Sequence, residues 1–257
     1  MTTRNTLPNT PIHGALYLIK GMRLISHPQL RKFALLPIAF SFIFFTAISM
    51  GLFVWFDDIT KALADMLPSW LQWLDWLIWL LLGIGLIMFA YFTFTLVVNF
   101  FSAPFNGLLA EAVEMHLTTQ QVNMDEPWQT IIKELPTIMK EELAKIFYFL
   151  TRSLLFLILF FIPGINFIAS GVWLVFAAWL LTLQYADYPM GNHKIKFIHQ
   201  RKHLKNKLML VLGFGGAVMV GTMIPILNII IVPSAVAGAT AMLLDHYDLD
   251  RLEQMNG

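Results

Sequence analysis

The chain has 257 residues, of which 58% are hydrophobic and 13% carry a charged side chain. A soluble chain usually carries about 25% charged residues, so this composition is typical of a membrane protein. There is no cysteine, which excludes disulfides, thiolate metal sites and cysteine nucleophiles. The net charge of +1 does not indicate a nucleic-acid partner, and we predict none.

The first predicted element is an amphipathic helix over residues 11–27. Thr10 supplies a capping hydroxyl and Pro11 suits the first helical position. Four apolar residues then recur on one stripe of the helix: Ile12, Leu16, Ile19 and Met22. Such a stripe is typical of a helix that lies in the membrane interface. The N-terminal sequence lacks a charged and then apolar leader, so we expect no signal peptide.

Four longer stretches contain no Asp, Glu, Lys or Arg, and they cover residues 33–56, 76–110, 153–186 and 208–244. Each exceeds the roughly 20 apolar residues that cross a hydrocarbon core. We therefore predict an all-α integral membrane protein in which residues 1–257 form a single membrane domain. Two long transmembrane helices are expected at residues 33–56 and 76–105.

The basic residues set the orientation of these helices. Five precede the first stretch with no acidic residue among them: Arg4, Lys20, Arg23, Arg31 and Lys32. Basic loops stay in the cytoplasm, so the N-terminus is predicted to be cytoplasmic. The loop after the first span holds four Asp residues and one basic residue, Lys61, as expected outside. A second amphipathic helix, over residues 127–149, is predicted to lie along the inner face or pack on a partner.

The last two stretches, residues 153–186 and 208–244, are predicted to be re-entrant helical hairpins. A single crossing by the first would place the six basic residues between positions 194 and 207 outside, against the positive-inside rule. Pro163-Gly164 and Pro225 supply the bends. Residues 153–162 give the first hairpin a short arm of about 15 Å. Its bend is thus expected at membrane depth, shielded by protein or facing water; two full, tilted spans are the alternative. The C-terminus is then cytoplasmic.

Polar residues near the bends and the inner span ends are candidates for a permeation path. Asn166 and Asn228 follow the two bends. Both are candidates, because Asn is costly in lipid without a polar partner. Asn106, Glu111 and Glu114 follow the second span and are expected at its inner mouth, although a solvated helix start is the alternative.

The sequence contains no motif of a soluble enzyme and no nucleotide-binding loop. We predict that the protein is not an enzyme and that it has no cofactor and no metal site.

Gly21-Met22-Arg23 is the strongest candidate for binding. Backbone N–H groups near a glycine, together with an Arg fork, suit a tetrahedral oxyanion. Contact between the Arg and lipid phosphate is the alternative on the residues alone. Arg31 and Lys32 are the nearest further cations.

Several segments together resemble the family of CysZ-type sulfate permeases and their relatives of the EI-twenty-four type. They are His27-Pro28-Gln29-Leu30, residues 103–111, Asp187-Tyr188-Pro189, Asn192-His193 and residues 225–240. The resemblance implies two hemi-penetrating hairpins, oligomers built from dimers, and sulfate entry through the bacterial inner membrane for cysteine biosynthesis. It also implies sulfate binding at a Gly-Leu-Arg motif, matched here by Gly21-Met22-Arg23, with Met in place of Leu.

The expected function is therefore channel-like sulfate uptake by a homodimer or higher oligomer in contact with membrane lipid. Two alternatives stay open at this point. One is a proton-coupled oxyanion transporter that uses Glu111 or Glu114. The other is a membrane assembly or scaffold protein that transports nothing, which the amphipathic helices also suit.

Overall fold

The computed structural model describes residues 7–64, 75–118, 128–249, 252 and 254. The helices in these ranges are α1 (Pro11–Ile25), α2 (Pro28–Ala64), α3 (Asp75–Thr118), α4 (Trp128–Phe160), α5 (Ile165–Asn192), α6 (Phe197–Lys205), α7 (Leu208–Thr222) and α8 (Pro225–His246). They fall into two units. One contains Leu35–Phe105, and the other contains Met1–Ala34 with Asn106–Gly257.

Most of α2 and α3 belongs to the unit Leu35–Phe105. With 37 and 44 residues, the two helices are about 55 and 66 Å long, and the predicted spans 33–56 and 76–105 lie inside them. Their described apolar side chains include exposed residues such as Phe42 and Ile87, which suits contact with lipid. Both helices run past the uncharged stretches, because charged residues such as Asp58 end a membrane segment without ending a helix.

Helix α1 packs against α7 and α8, which belong to the same unit as α1. It begins where the sequence indicates, with the hydroxyl of Thr10 accepting a hydrogen bond from the His13 N–H at 3.3 Å. The stripe of Ile12, Leu16 and Ile19 is exposed, but Met22 is half-buried and packs against the core. Met22 therefore does not share the exposed stripe. The opposite face of α1 is buried and consists of Gly14, Tyr17, Leu18, Gly21 and Ile25.

Two glycines allow α1 to approach its neighbours closely. A Cβ on Gly14 would lie 1.9 Å from the Leu210 carbonyl oxygen of α7, and one on Gly21 would lie 2.0 Å from the Ser234 carbonyl oxygen of α8. Small residues permit this backbone contact between membrane helices. Helix α1 is thus an integral part of the packed unit and has an apolar outer face.

Helices α4 and α5 pack against each other as the first hairpin. The bend occupies residues 161–164, and Gly164 has a φ of 85°, which glycine adopts without a steric cost. Helix α4 is continuous for 33 residues, so it joins the predicted amphipathic helix to the first arm of the hairpin. The expected ten-residue arm is therefore wrong as a separate helix, because Lys145 and Arg152 lie before the uncharged stretch without ending α4.

Helices α7 and α8 form the second hairpin, with its bend just before Pro225. At its base the ammonium of Lys207 lies 3.1 Å from Nδ1 of His246. Helix α7 also packs on α5, where the Thr182 hydroxyl donates to the Val211 carbonyl at 2.6 Å. The short α6 meets α7 at an angle of 107°.

Length and composition allow two of the described helical segments to cross a membrane: Leu143–Phe160 and Ile165–Asn192. A third is added if α6 and α7 count as one bent span. Together with the apolar surfaces of α2 and α3, these segments define an all-α membrane protein.

Candidate anion site and the bases of the hairpins

Gly21, Met22 and Arg23 lie in the second half of α1. Inside an α-helix each N–H bonds to the carbonyl four residues earlier, and Gly21 is also covered by the backbone of α8. The expectation that backbone N–H groups near Gly21 bind an anion is therefore corrected. The donor that this segment presents to solvent is the exposed side chain of Arg23.

The other two predicted cations follow Arg23 across a short turn. Helix α1 ends at Ile25 and α2 begins at Pro28, and the His27 N–H donates to the Leu24 carbonyl at 3.0 Å. Arg31 and Lys32 lie in the first turns of α2 and are exposed. Within the described residues, Arg23, Arg31 and Lys32 form no salt bridge, so their charges are available to an anion.

Lys20 has a different environment, although it lies one turn before Arg23. Its ammonium is 2.6 Å from Asp245 Oδ2, which also accepts a hydrogen bond from the Tyr17 hydroxyl at 2.9 Å. Burial, and then the Asp245 charge, raise the pKa of Tyr17, so this phenol stays protonated and donates. Lys20 therefore joins α1 to the end of α8, whereas Arg23 has no ion pair with any residue that the structure describes.

Glu114, one of the three candidate residues after the second predicted span, contacts the residue that follows α5. Glu114 is buried and its two carboxylate oxygens lie 2.8 and 3.1 Å from Nε2 of His193. The Asn192 amide donates to the Gly107 carbonyl at 2.9 Å. Asn106 is buried, and Glu111 is half-buried. The structure thus gives Glu114 a specific partner, which a simple solvated helix start would not have.

The asparagines near the bends, Asn166 and Asn228, are both exposed. The expected shielding is not provided by described residues of the chain itself, because the tips of the hairpins project from the core. The tip around Asn166 is strongly apolar, with Phe161 and Phe167 exposed by 80% and 86%. It is a surface suited to lipid or to another protein chain.

Sequence reasoning missed the residues that close the bases of the hairpins. Lys145, Asp187 and His193 received no role from the sequence, yet each has a charged partner in the structure. A signal existed, because Asp187 and His193 lie in two of the segments that carry the family resemblance. Those segments join the ends of helices to one another.

The architecture is that of an integral membrane protein built on long apolar helices and two apolar hairpins. Residues 17–233 match the family model described as Sulfate transporter CysZ/Etoposide-induced protein 2.4, and the chain belongs to this family. It is 40% identical to the Sulfate transporter CysZ of Pectobacterium atrosepticum, over 93% of this chain and 88% of that protein. It is 36% identical to the Sulfate transporter CysZ of Pseudomonas aeruginosa, over 89% and 93% of the two chains.

Proposed function

We propose that this protein carries sulfate into the cell through a channel-like path and so supplies sulfur for cysteine biosynthesis. The observation that carries the proposal is an exposed Arg23, which forms no ion pair within the described ranges, in a chain whose relatives over most of its length are named sulfate transporters. The proposed activity is permeation of an anion, and no chemical reaction is assigned to the protein.

The sulfate contact is assigned to the guanidinium of Arg23, assisted by Arg31 and Lys32. Sulfate is divalent and strongly hydrated, so its site must replace part of the water shell. A guanidinium donates two parallel, charge-assisted hydrogen bonds to an oxyanion. In this proposal Gly21 contributes by holding α1 against α8, and Met22 contributes by anchoring α1 in the core.

We place the protein in the bacterial inner membrane, with both termini cytoplasmic, as a homodimer or higher oligomer. The Lys145–Asp187 and Lys207–His246 contacts support this orientation, because they put both ends of each hairpin on one side. From these bases to the bends, α4 runs 16 residues and α7 runs 15, or about 24 and 22 Å. These two arms are shorter than a hydrocarbon core of about 30 Å, whereas α5 from the bend to Asp187 has 23 residues and α8 has 22, or about 34 and 33 Å. We propose partial penetration on the shorter arms, and full tilted spans are the alternative that the longer arms allow.

A proton-coupled transporter is the second candidate, because Glu114 and His193 form a mostly buried titratable pair. Proton uptake by such a pair would change its charge and its hydrogen bonds during transport. The channel proposal assigns the pair a structural role only, holding α3 against the end of α5.

Uptake of radiolabelled sulfate by liposomes that contain the purified protein tests these functions, with protein-free liposomes as the control. We expect uptake that follows the sulfate gradient and an imposed membrane potential, with no change when a proton gradient is added. Faster uptake under an inward proton gradient would favour the coupled transporter. Absence of uptake by protein that elutes as a folded species would favour the scaffold.

A further inference from the structure

An open groove of about 520 Å³ lies between α4 and α6, away from Arg23 and from both hairpin tips. Its lining consists of Ala144, Phe147, Tyr148, Thr151, Arg152, Leu155 and Arg201. It therefore combines an apolar wall on α4 with two guanidinium groups.

Both guanidiniums lie against one aromatic ring. The central carbon of Arg201 is 4.3 Å from the centroid of Tyr148, and that of Arg152 is 5.9 Å from it. The Tyr148 hydroxyl accepts a hydrogen bond from Trp179 Nε1 at 3.2 Å, so the ring is fixed in place. Both guanidiniums line the same groove, so an anion bound there would reduce the repulsion between them.

No acidic side chain neutralises this pair within the part of the chain that the structure describes. Arg152 and Arg201 form no salt bridge there. The basic residues Lys202 and Lys205 follow on α6 and add to the positive potential. The groove is thus an electropositive site that no acidic side chain among the described residues neutralises.

The surroundings of Arg152 indicate what kind of anion fits. Arg152 lies within Leu143–Phe160, a segment long and apolar enough to cross a membrane. Phe147 and Leu155, on the groove wall, are 69% and 52% exposed. A cation on such a surface is costly in a membrane unless a charged group pairs with it. The phosphate of a lipid supplies that charge, and its acyl chains cover the apolar wall.

We propose that this groove binds one anionic phospholipid. The phosphodiester bridges Arg152 and Arg201, and the acyl chains lie along Phe147 and Leu155. The additional lysines of α6 favour a headgroup with net negative charge over a zwitterionic one. A free oxyanion shares the phosphate chemistry but would leave the apolar wall uncovered.

Native mass spectrometry of the full-length protein, titrated with phosphatidylglycerol, phosphatidylethanolamine or inorganic phosphate, tests the proposal. Wild-type protein is expected to retain phosphatidylglycerol in preference to the other two. The double variant Arg152→Gln, Arg201→Gln is expected to lose roughly 10-fold or more in affinity, because charged hydrogen-bond partners are removed. Lys61→Gln, which removes an exposed cation in the last turn of α2 and outside the groove lining, is the matched control and should bind as wild type.

Equal retention of phosphatidylglycerol by the double variant and the wild type would overturn the proposal. So would equal binding of phosphatidylethanolamine, or displacement of the lipid by millimolar inorganic phosphate. If the double variant does not elute as wild type in size-exclusion chromatography, Arg201→Gln and Arg201→Lys replace it. Lys keeps the charge but not the planar fork, so it should bind between Gln and wild type, and wild-type binding by both variants would reject the site.

Discussion

The ammonium of Lys145 lies 2.5 Å from the carboxylate of Asp187, and this ion pair closes the base of the hairpin formed by α4 and α5. The second oxygen of Asp187 accepts a hydrogen bond from the Gln200 amide at 2.9 Å. Asp187 therefore joins α4, α5 and α6 through one carboxylate. Only 14% of the Lys145 side chain and 20% of the Asp187 side chain are exposed. Water would therefore solvate either charge poorly if the other were removed.

Replacing Asp187 by Asn is expected to destabilise the fold by about 3 kcal/mol, the lower end of the range for breaking a buried ion pair. The change removes the charge of Asp187 from the mostly buried Lys145 ammonium. Thermal unfolding of detergent-purified protein, followed by tryptophan fluorescence, measures the effect. Adding Lys145→Met should restore part of the lost stability, because the mostly buried ammonium is then removed as well. Asp58→Asn, at an exposed site on α2, is the control. Equal melting temperatures for Asp187→Asn and Asp58→Asn would contradict the prediction.

Replacing Gly21 by Ala is expected to destabilise the contact between α1 and α8. The added Cβ would lie 2.0 Å from the Ser234 carbonyl oxygen and 2.7 Å from the Gly238 nitrogen, so one helix must shift. Overpacking of this kind costs about 1–3 kcal/mol or more. Gly216→Ala on α7 is the matched control, because a Cβ there meets no atom within 4 Å and Ala favours helix by roughly 0.5–1 kcal/mol. Equal melting temperatures for the Gly21→Ala and Gly216→Ala proteins would rule out this packing role of Gly21.

The charge pattern predicted much of this fold. The start of α1 at Pro11, the two long helices and the two hairpin bends at Pro163-Gly164 and Pro225 all follow from capping residues, uncharged stretches and helix breakers. The bounds of α4 and α5 did not follow, since Arg152 and Asp187 were treated as the limits of an uncharged membrane segment. Inside the longer helices Asp187 is paired with Lys145, 42 positions away in the chain, which local sequence does not reveal.

The site was predicted in part. The sequence distinguished Arg23 as a cation near the first span, but it did not show that Lys20, one turn earlier, is paired with Asp245. The role expected for the Gly21 backbone was wrong, because a glycine inside a helix is compatible both with ligand binding and with helix packing. Only the position of α8 distinguishes these roles. The buried Glu114–His193 contact was missed for the same reason, since its partners are 79 positions apart.

The proposed topology predicts which engineered cysteines react with a membrane-impermeant reagent. The natural chain contains no cysteine, so each variant carries one label site. Gln29→Cys and Lys202→Cys are at exposed positions on α2 and α6 and should be protected in intact spheroplasts. Ser69→Cys, which lies outside the described residues, should react. Labelling of Lys202→Cys from outside, with Gln29→Cys still protected, would contradict the assignment of the first hairpin.

The final prediction concerns the guanidinium of Arg23 as the proposed sulfate-binding group. Arg23→Ala is expected to weaken sulfate binding by roughly 10- to 150-fold, since a charged hydrogen-bond partner contributes about 1.5–3 kcal/mol. Arg23→Lys should fall between Ala and wild type, because it keeps the charge without the planar fork. The exposed position of Arg23 means that neither change should alter the melting temperature, so a binding defect is separable from a folding defect.

Equilibrium binding of radiolabelled sulfate to the purified variants measures this series, with Lys205→Ala as a control for losing one exposed cation. Met22→Leu should bind as wild type, because Met22 packs against the core and a volume-conserving apolar exchange costs little. Wild-type affinity in Arg23→Ala would exclude Arg23 from the anion site and make Arg31 and Lys32 the remaining candidates. A uniform loss across Arg23→Ala and Lys205→Ala would instead indicate a general effect of net charge, since binding at a defined site depends on the position of the cation as well as on its sign.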